Sequence, residues 1–138
     1  MSEIVRFGVS LEKELLEKFN ILIKEKKYPN RSEAIRDLIR ENLVRREWVE
    51  GKEVAGAITL VFDHHKRDLV NILTDIQHDF HTLIISSQHI HLDHDNCFEI
   101  IVVRGKPIEV SELADKLRAT KGVKYGSLSI ATTGKELA

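Results

Sequence analysis

The chain has 138 residues, 42% of them apolar, a formal net charge of −1 and a single cysteine, a length that holds one ordinary domain or two very small ones. No apolar run approaches the roughly 20 residues of a membrane-spanning helix, and the opening "MSEIVRFGVS" lacks the layout of a secretory signal, so a cytoplasmic protein with no membrane association is expected. The near-neutral charge excludes a surface coated in basic residues, and the lone Cys97 excludes an internal disulfide.

Period-2 alternation opens the chain: Val5, Phe7 and Val9 share one face and Arg6, Gly8 and Ser10 the other, the pattern of a half-buried strand. From Leu11 the period changes, and Leu15, Phe19, Leu22 and Ile23 take the spacing of a helix with one apolar stripe. Pro29 biases Tyr28 away from helical geometry, Asn30 can cap a second helix, and Glu33 three residues later makes a capping-box-like pair. That helix is expected over Arg31 to Arg46, burying Ala34, Ile35, Leu38, Ile39 and Leu43. One strand and two helices within residues 1–47 leave an open strand edge and too little core. The economical completion is a second copy whose first strand pairs antiparallel with this one, giving an isologous dimer.

The charged stretch "RREWVEGKE" reads as a linker around Glu47 to Lys52, with Trp48 as a plug between the halves. Beyond it the pattern predicts strand (Val54 to Phe62), helix (Lys66 to His78), strand (Leu83 to Leu92), turn, strand (Cys97 to Arg104), helix (Ile108 to Thr120) and strand (Tyr125 to Ala131). The order βαββαβ is the ferredoxin-like split-βαβ topology, so the fold class is α+β.

"QHIHLDHDNC" spends three of the seven histidines and the only cysteine on ten residues. On a strand His89 and His91 share a face, with Ile90 and Leu92 expected on the opposite, core side. The polar "DHDN" reverses the chain and returns Cys97 on the neighbouring strand, so two imidazoles and a thiolate form three corners of a metal site. His78 or His81 can supply a fourth ligand, in the same subunit or in another. His64, His65 and His94 read as ordinary surface histidines, with His94 as the one that could support the ligands or act as an occasional ligand itself. Imidazole and thiolate suit Zn, Cu, Ni and Co alike, so donor type does not select the metal.

Two antiparallel strands fit the DNA major groove, where Arg6 can bond a guanine bidentately, Ser10 can reach base or phosphate, and Gly8 offers only backbone. The N-terminus of the second helix, at Asn30, Arg31 and Ser32, presents backbone N–H groups suited to clamping a phosphate.

These residues carry a resemblance. "RFGVSL" followed by "NRSEAIRDLIR" resembles the ribbon-helix-helix (βαα) domain of the NikR family of nickel-responsive transcriptional regulators, and "KRDLVNILTDIQHDF", "QHIHLDHDNC" and "KGVKYGSLSI" resemble that family's ACT-like metal-binding domain. The resemblance implies a DNA-binding domain over residues 1–47 and a metal-binding, tetramerising domain over 53–138. It further implies a homotetramer built as a dimer of dimers, acting on a double-stranded DNA operator to repress nickel-uptake genes. One square-planar Ni(II) per subunit is implied, held by residues matching His89, His91 and Cys97 of one chain and His78 of another. Carboxylates matching Glu33 and Asp37 are implied in a second cation site; the alternative for that pair is a solvated face beside Arg36 and Arg40. Gly8 departs from the family pattern, where a polar side chain is common, which bears on operator preference.

Two other classes compete. A hydrolytic metalloenzyme would need an open coordination position and a general base, for which Glu99 is the candidate; four good ligands close the site, so a non-enzyme is expected. An ACT-type regulator sensing an amino acid or another metal (Zn, Cu or Co) is the second alternative.

Overall fold

The computed structural model describes residues 3–137. Its elements are α1 (Lys13–Glu25), α2 (Arg31–Glu50), β1 (Val54–Phe62), α3 (Arg67–Asp79), β2 (Ile84–His91), β3 (Cys97–Gly105), α4 (Pro107–Ala119) and β4 (Val123–Ile130). Two compact units divide between Leu43 and Val44, the second ending at Lys135.

In the first unit the expected strand around Val5–Val9 is not formed: residues 3–12 are neither helix nor strand. A strand needs a hydrogen-bonded neighbour, and this single chain offers it none among the described residues. Ile4, Val5, Phe7 and Val9 consequently stand 60 to 81% exposed. The core expected on α2 is also incomplete. Ala34 is buried, but Leu38, Ile39 and Leu43 remain 38 to 50% exposed, because two helices alone cannot enclose an apolar stripe.

The helix ends obey local rules. α1 closes with Lys27 in the left-handed region (φ 60°), and the bonds Tyr28 N–H to Ile23 O (3.0 Å) and Lys27 N–H to Lys24 O (3.1 Å) make a Schellman motif. Asn30 caps α2, its Oδ1 accepting the Glu33 N–H at 2.9 Å. The reciprocal half of the capping box is missing, since the Glu33 carboxylate pairs with Arg36 instead.

α2 runs one turn beyond Arg46, so residues 47–50 of the expected linker are helical. Nothing in "RREWVE" breaks a helix, Arg46 pairs with Glu50 at 2.6 Å, and termination waits for Gly51, whose φ of 78° suits a residue without a Cβ. Lys52 N–H then bonds Glu47 O at 3.3 Å. Trp48, expected as a plug between the halves, packs on the core of the second unit and donates its indole N–H to Ala131 O at 2.8 Å. Beside it the buried Glu47 carboxylate accepts the Thr132 hydroxyl at 3.1 Å.

The second unit has the expected βαββαβ order, folded as a four-stranded antiparallel sheet in the order β2-β3-β1-β4. On one face Ile58, Leu60 and Phe62 of β1 and Ile101 and Val103 of β3 pack with Leu69 and Leu73 of α3 and Val110, Leu113 and Leu117 of α4. Strict alternation of buried and half-buried residues along β1, and along β3 as far as Val103, marks this face. Since directly opposed residues share a face, the register His89↔Glu99 and His91↔Cys97 puts both histidines on the helix-covered side. Ile90 and Leu92, expected toward the core, point to the uncovered face and are 37 and 56% exposed.

Replacing Trp48 with Phe removes the donor to Ala131 while keeping most of the ring's packing. The expected loss is about 1 kcal/mol of stability, read as a lowered thermal midpoint by circular dichroism with an unchanged folded spectrum.

Candidate metal centre and nucleic-acid interface

The centre is built on an edge hairpin. Asp93 Oδ1 accepts the N–H groups of Asp95 (2.9 Å) and Asn96 (2.8 Å), an Asx turn that fixes the reversal, and Leu92 N–H closes it on Asn96 O at 2.9 Å. Asn96 also donates to Asp93, and these bonds hold the Asp93 carboxyl below its ordinary range.

Across the two strands, Cys97 Sγ lies 3.4 Å from His89 Nδ1. The other ring nitrogen, Nε2, stands 2.7 Å from the buried Glu99 carboxylate, whose second oxygen accepts an N–H of Gln77 at 3.3 Å. A carboxylate on Nε2 fixes the ring's orientation and leaves Nδ1 facing the sulfur with its lone pair, the arrangement a ligating imidazole requires. The edge of Phe62 meets the same ring, with centroids 6.0 Å apart.

Cys97 is buried, and burial pushes its thiol pKa up; the Glu99 charge adds to this, and a backbone hydrogen bond from Ile90 works the other way. A buried thiol beside a carboxylate keeps its proton unless a cation compensates the thiolate.

Of the four ligands expected, the structure brings His89 and Cys97 together. His91 faces Cys97 in register, but its ring packs against His64, with centroids 4.5 Å apart. His78, exposed at the end of α3, stacks on His81 at 6.0 Å, and His81 Nδ1 lies 3.0 Å from His78 O; neither makes a described contact with the hairpin donors. Glu33 and Asp37 are engaged separately, Glu33 with Arg36 and Asp37 with the Tyr28 hydroxyl, a bond that raises the Tyr28 pKa.

Sequence reasoning missed Gln77 and named Glu99 only as a general base for the hydrolytic alternative, not as the residue that positions His89. The signal was there: in "CFEIIVV" period 2 puts Glu99 on the face of Cys97 and Ile101, an acid in an apolar row. It also set aside His64, His65 and His94 as separate surface residues, whereas their rings form a continuous series with His91.

Of the residues expected to meet DNA, Arg6, Gly8 and Ser10 are exposed, and a Cβ added at Gly8 would meet nothing within 4 Å. Asn30, Arg31 and Ser32 open α2 as expected, with Arg31 Nε donating to Asn20 Oδ1 at 3.2 Å. No helix among the described residues is long and apolar enough to cross a membrane.

Comparison with known proteins places these features. Residues 55–131 match the NikR C-terminal nickel-binding domain, and residues 5–46 match the ribbon-helix-helix proteins of the copG family. A nickel-responsive regulator of Syntrophus aciditrophicus is 61% identical over 98% of this chain and 98% of its own. Others so described, from Chlorobium phaeobacteroides and Nitratidesulfovibrio vulgaris, are 58% identical over 96% of this chain and 98% of theirs, and 56% identical over 99% of both. Among solved structures, an uncharacterized protein of Thermotoga maritima shares the fold, at TM-score 0.53 and 14% identity, over 57% of this chain and 98% of its own. An α+β chain with a ribbon-helix-helix segment ahead of a nickel-binding domain, matched nearly end to end by these relatives, belongs to the NikR family of nickel-responsive transcriptional regulators, which are not enzymes.

Proposed function

We propose that each subunit binds one Ni(II) through His89, His91 and Cys97 together with the partner subunit's His78. The loaded protein, a homotetramer built as a dimer of dimers, grips a double-stranded operator and represses nickel-uptake genes. Residues 1–47 serve as the DNA-binding domain and 53–138 as the metal-binding and tetramerising domain. The observation that carries this reading is the 3.4 Å approach of Cys97 Sγ to His89 Nδ1, with Glu99 holding the far side of the ring. That donor set, a thiolate and imidazoles, fits a borderline divalent ion.

When bound, nickel supplies a crosslink between the hairpin of one chain and α3 of another. The chain's own residues set up that crosslink. Glu99 and Gln77 position His89, the Asx turn holds the hairpin reversal, and exposure of His78 leaves it available to a second chain. Ordering these elements in the metal-bound state lowers the ordering cost of meeting two operator half-sites. At the interface Arg6 reads bases, Ser10 reaches base or phosphate, Gly8 allows close backbone approach, and Asn30, Arg31 and Ser32 clamp a phosphate. A further cation site at Glu33 and Asp37 fits less well, because each would have to release Arg36 or Tyr28.

Ni(II) added to the full chain should give thiolate charge-transfer absorption that is lost in Cys97→Ser and displaced or lost in His78→Ala. An unchanged spectrum in either variant would remove that residue from the ligand set. Because burial raises the Cys97 thiol, metal binding must displace its proton; below that pKa, apparent nickel affinity should rise at least about tenfold per pH unit, and a pH-independent affinity measured by competition would refute thiolate ligation. Arg6→Ala should weaken operator binding by about 1–3 kcal/mol and relax base preference at one position, with nickel affinity in the absence of DNA unchanged, as measured by fluorescence anisotropy on an operator panel.

A further inference from the structure

The start of β4 is irregular. Its residues pair with β1 as Val61↔Tyr125 and then Phe62↔Val123, so Lys124 is an extra residue with no partner on β1, a β-bulge. Val123 takes the position against Phe62 and packs on the core, while Lys124 is exposed at the end of the sheet. From there its Nζ donates to Asn96 Oδ1 at 2.5 Å. The contact passes over the end of β1, because the sheet order β2-β3-β1-β4 puts β1 between β4 and the hairpin strands.

Asn96 is the last residue of the hairpin turn and directly precedes Cys97. Its side-chain amide is engaged at both ends: Nδ2 donates to the Asp93 carboxylate at 3.0 and 3.1 Å, and Oδ1 accepts from Lys124. An ammonium only donates and a carboxylate only accepts, so an amide held between them has a single orientation. Cation, amide and anion therefore run in series across the turn, and Asp93 carries the restraint to the backbone through the N–H groups of Asp95 and Asn96. The charge of Lys124 also acts on both neighbouring loops. Asp63 is held below its ordinary pKa range first by the His65 backbone N–H, and Asp93 first by the Asn96 side chain, with the lysine adding to each.

An exposed lysine beside a surface acid ordinarily contributes little. Here a backbone irregularity aims the side chain, and the group it meets is already fixed on its other side; bulges recur next to functional sites because they redirect a side chain in this way. We infer that Lys124 is a positioning residue for the hairpin that carries His91 and Cys97, holding the turn so that the register opposes these two donors. Its part in metal binding rests on the nickel centre proposed above. Lys124 supplies no ligand and acts only through Asn96.

Two measurements on the full-length protein test this. In the apoprotein, hydrogen exchange of the Leu92 and Asn96 amides, which close the turn, should quicken at least about threefold in Lys124→Met, with Ile58 and Ile101 of the sheet core unchanged and Lys124→Arg close to wild type. Nickel affinity, followed by the thiolate band, should fall about three- to tenfold in Lys124→Met, the size of one net hydrogen bond, and return in Lys124→Arg. A variant carrying both Lys124→Met and Asn96→Ala should bind nickel no more weakly than Asn96→Ala alone, since the lysine acts through that amide. Unchanged exchange at the turn in Lys124→Met, or losses of affinity that multiply in the double variant, would overturn the inference. A wild-type protein without a thiolate band would instead overturn the nickel centre, and the exchange rates would still decide whether Lys124 holds the turn.

Discussion

The pairing of β2 with β3 is the constraint on which the proposed metal centre depends. Antiparallel register sets His89 against Glu99 and His91 against Cys97, and the side-chain period of two puts all four on the face that the helices cover. A slip of one residue would turn the histidines to the open face and set Ile90 and Leu92 against the core. The register is held from both ends. Asp93 and Asn96 lock the turn, while the buried residues Ile101 and Val103 commit β3 to one orientation.

That orientation has an electrostatic consequence. Cys97 and Glu99 occupy buried positions in a row otherwise filled by Ile101 and Val103, so a thiol and a carboxylate sit where a thiolate and a carboxylate together would be strongly disfavoured. His89 relieves part of this, lying between the two with one nitrogen toward each. Gln77 donates to the remaining carboxylate oxygen. The centre is therefore tensioned toward a cation: its acidic groups are buried and oriented, and positive charge is what the arrangement lacks.

The single chain is visibly unfinished elsewhere. Ile4, Val5, Phe7 and Val9 present an apolar row to solvent, Leu38, Ile39 and Leu43 do so from α2, and Ile90 and Leu92 do so from the uncovered face of the sheet. Exposed apolar surface of this extent marks association surfaces in soluble proteins. The same reading extends to His78, the proposed fourth donor, which lies at a helix end beside His81 rather than at the hairpin. Under the proposed function, strand pairing and coordination both leave positions that another copy of the chain would fill.

Much of this was legible from residue order. Period-2 and period-3.6 patterns located the βαββαβ order and both N-terminal helices, Asn30 announced its cap, and the spacing of His89, His91 and Cys97 announced a same-face donor pair with a thiol opposite, because such features depend on neighbours within a few residues. What residue order could not decide was which face of the sheet the helices cover, since Ile90 and Leu92 argued for one side and only the packing of α3 and α4 settled the other. The end of α2 at Gly51, the seating of Trp48 on Ala131, the Glu99–His89 contact and the gathering of Asp63, His64, His65 and His94 were likewise decided by tertiary structure. Each joins segments far apart in the chain or balances burial against local preference, and such contacts are set by the closing of the sheet rather than by any window of sequence.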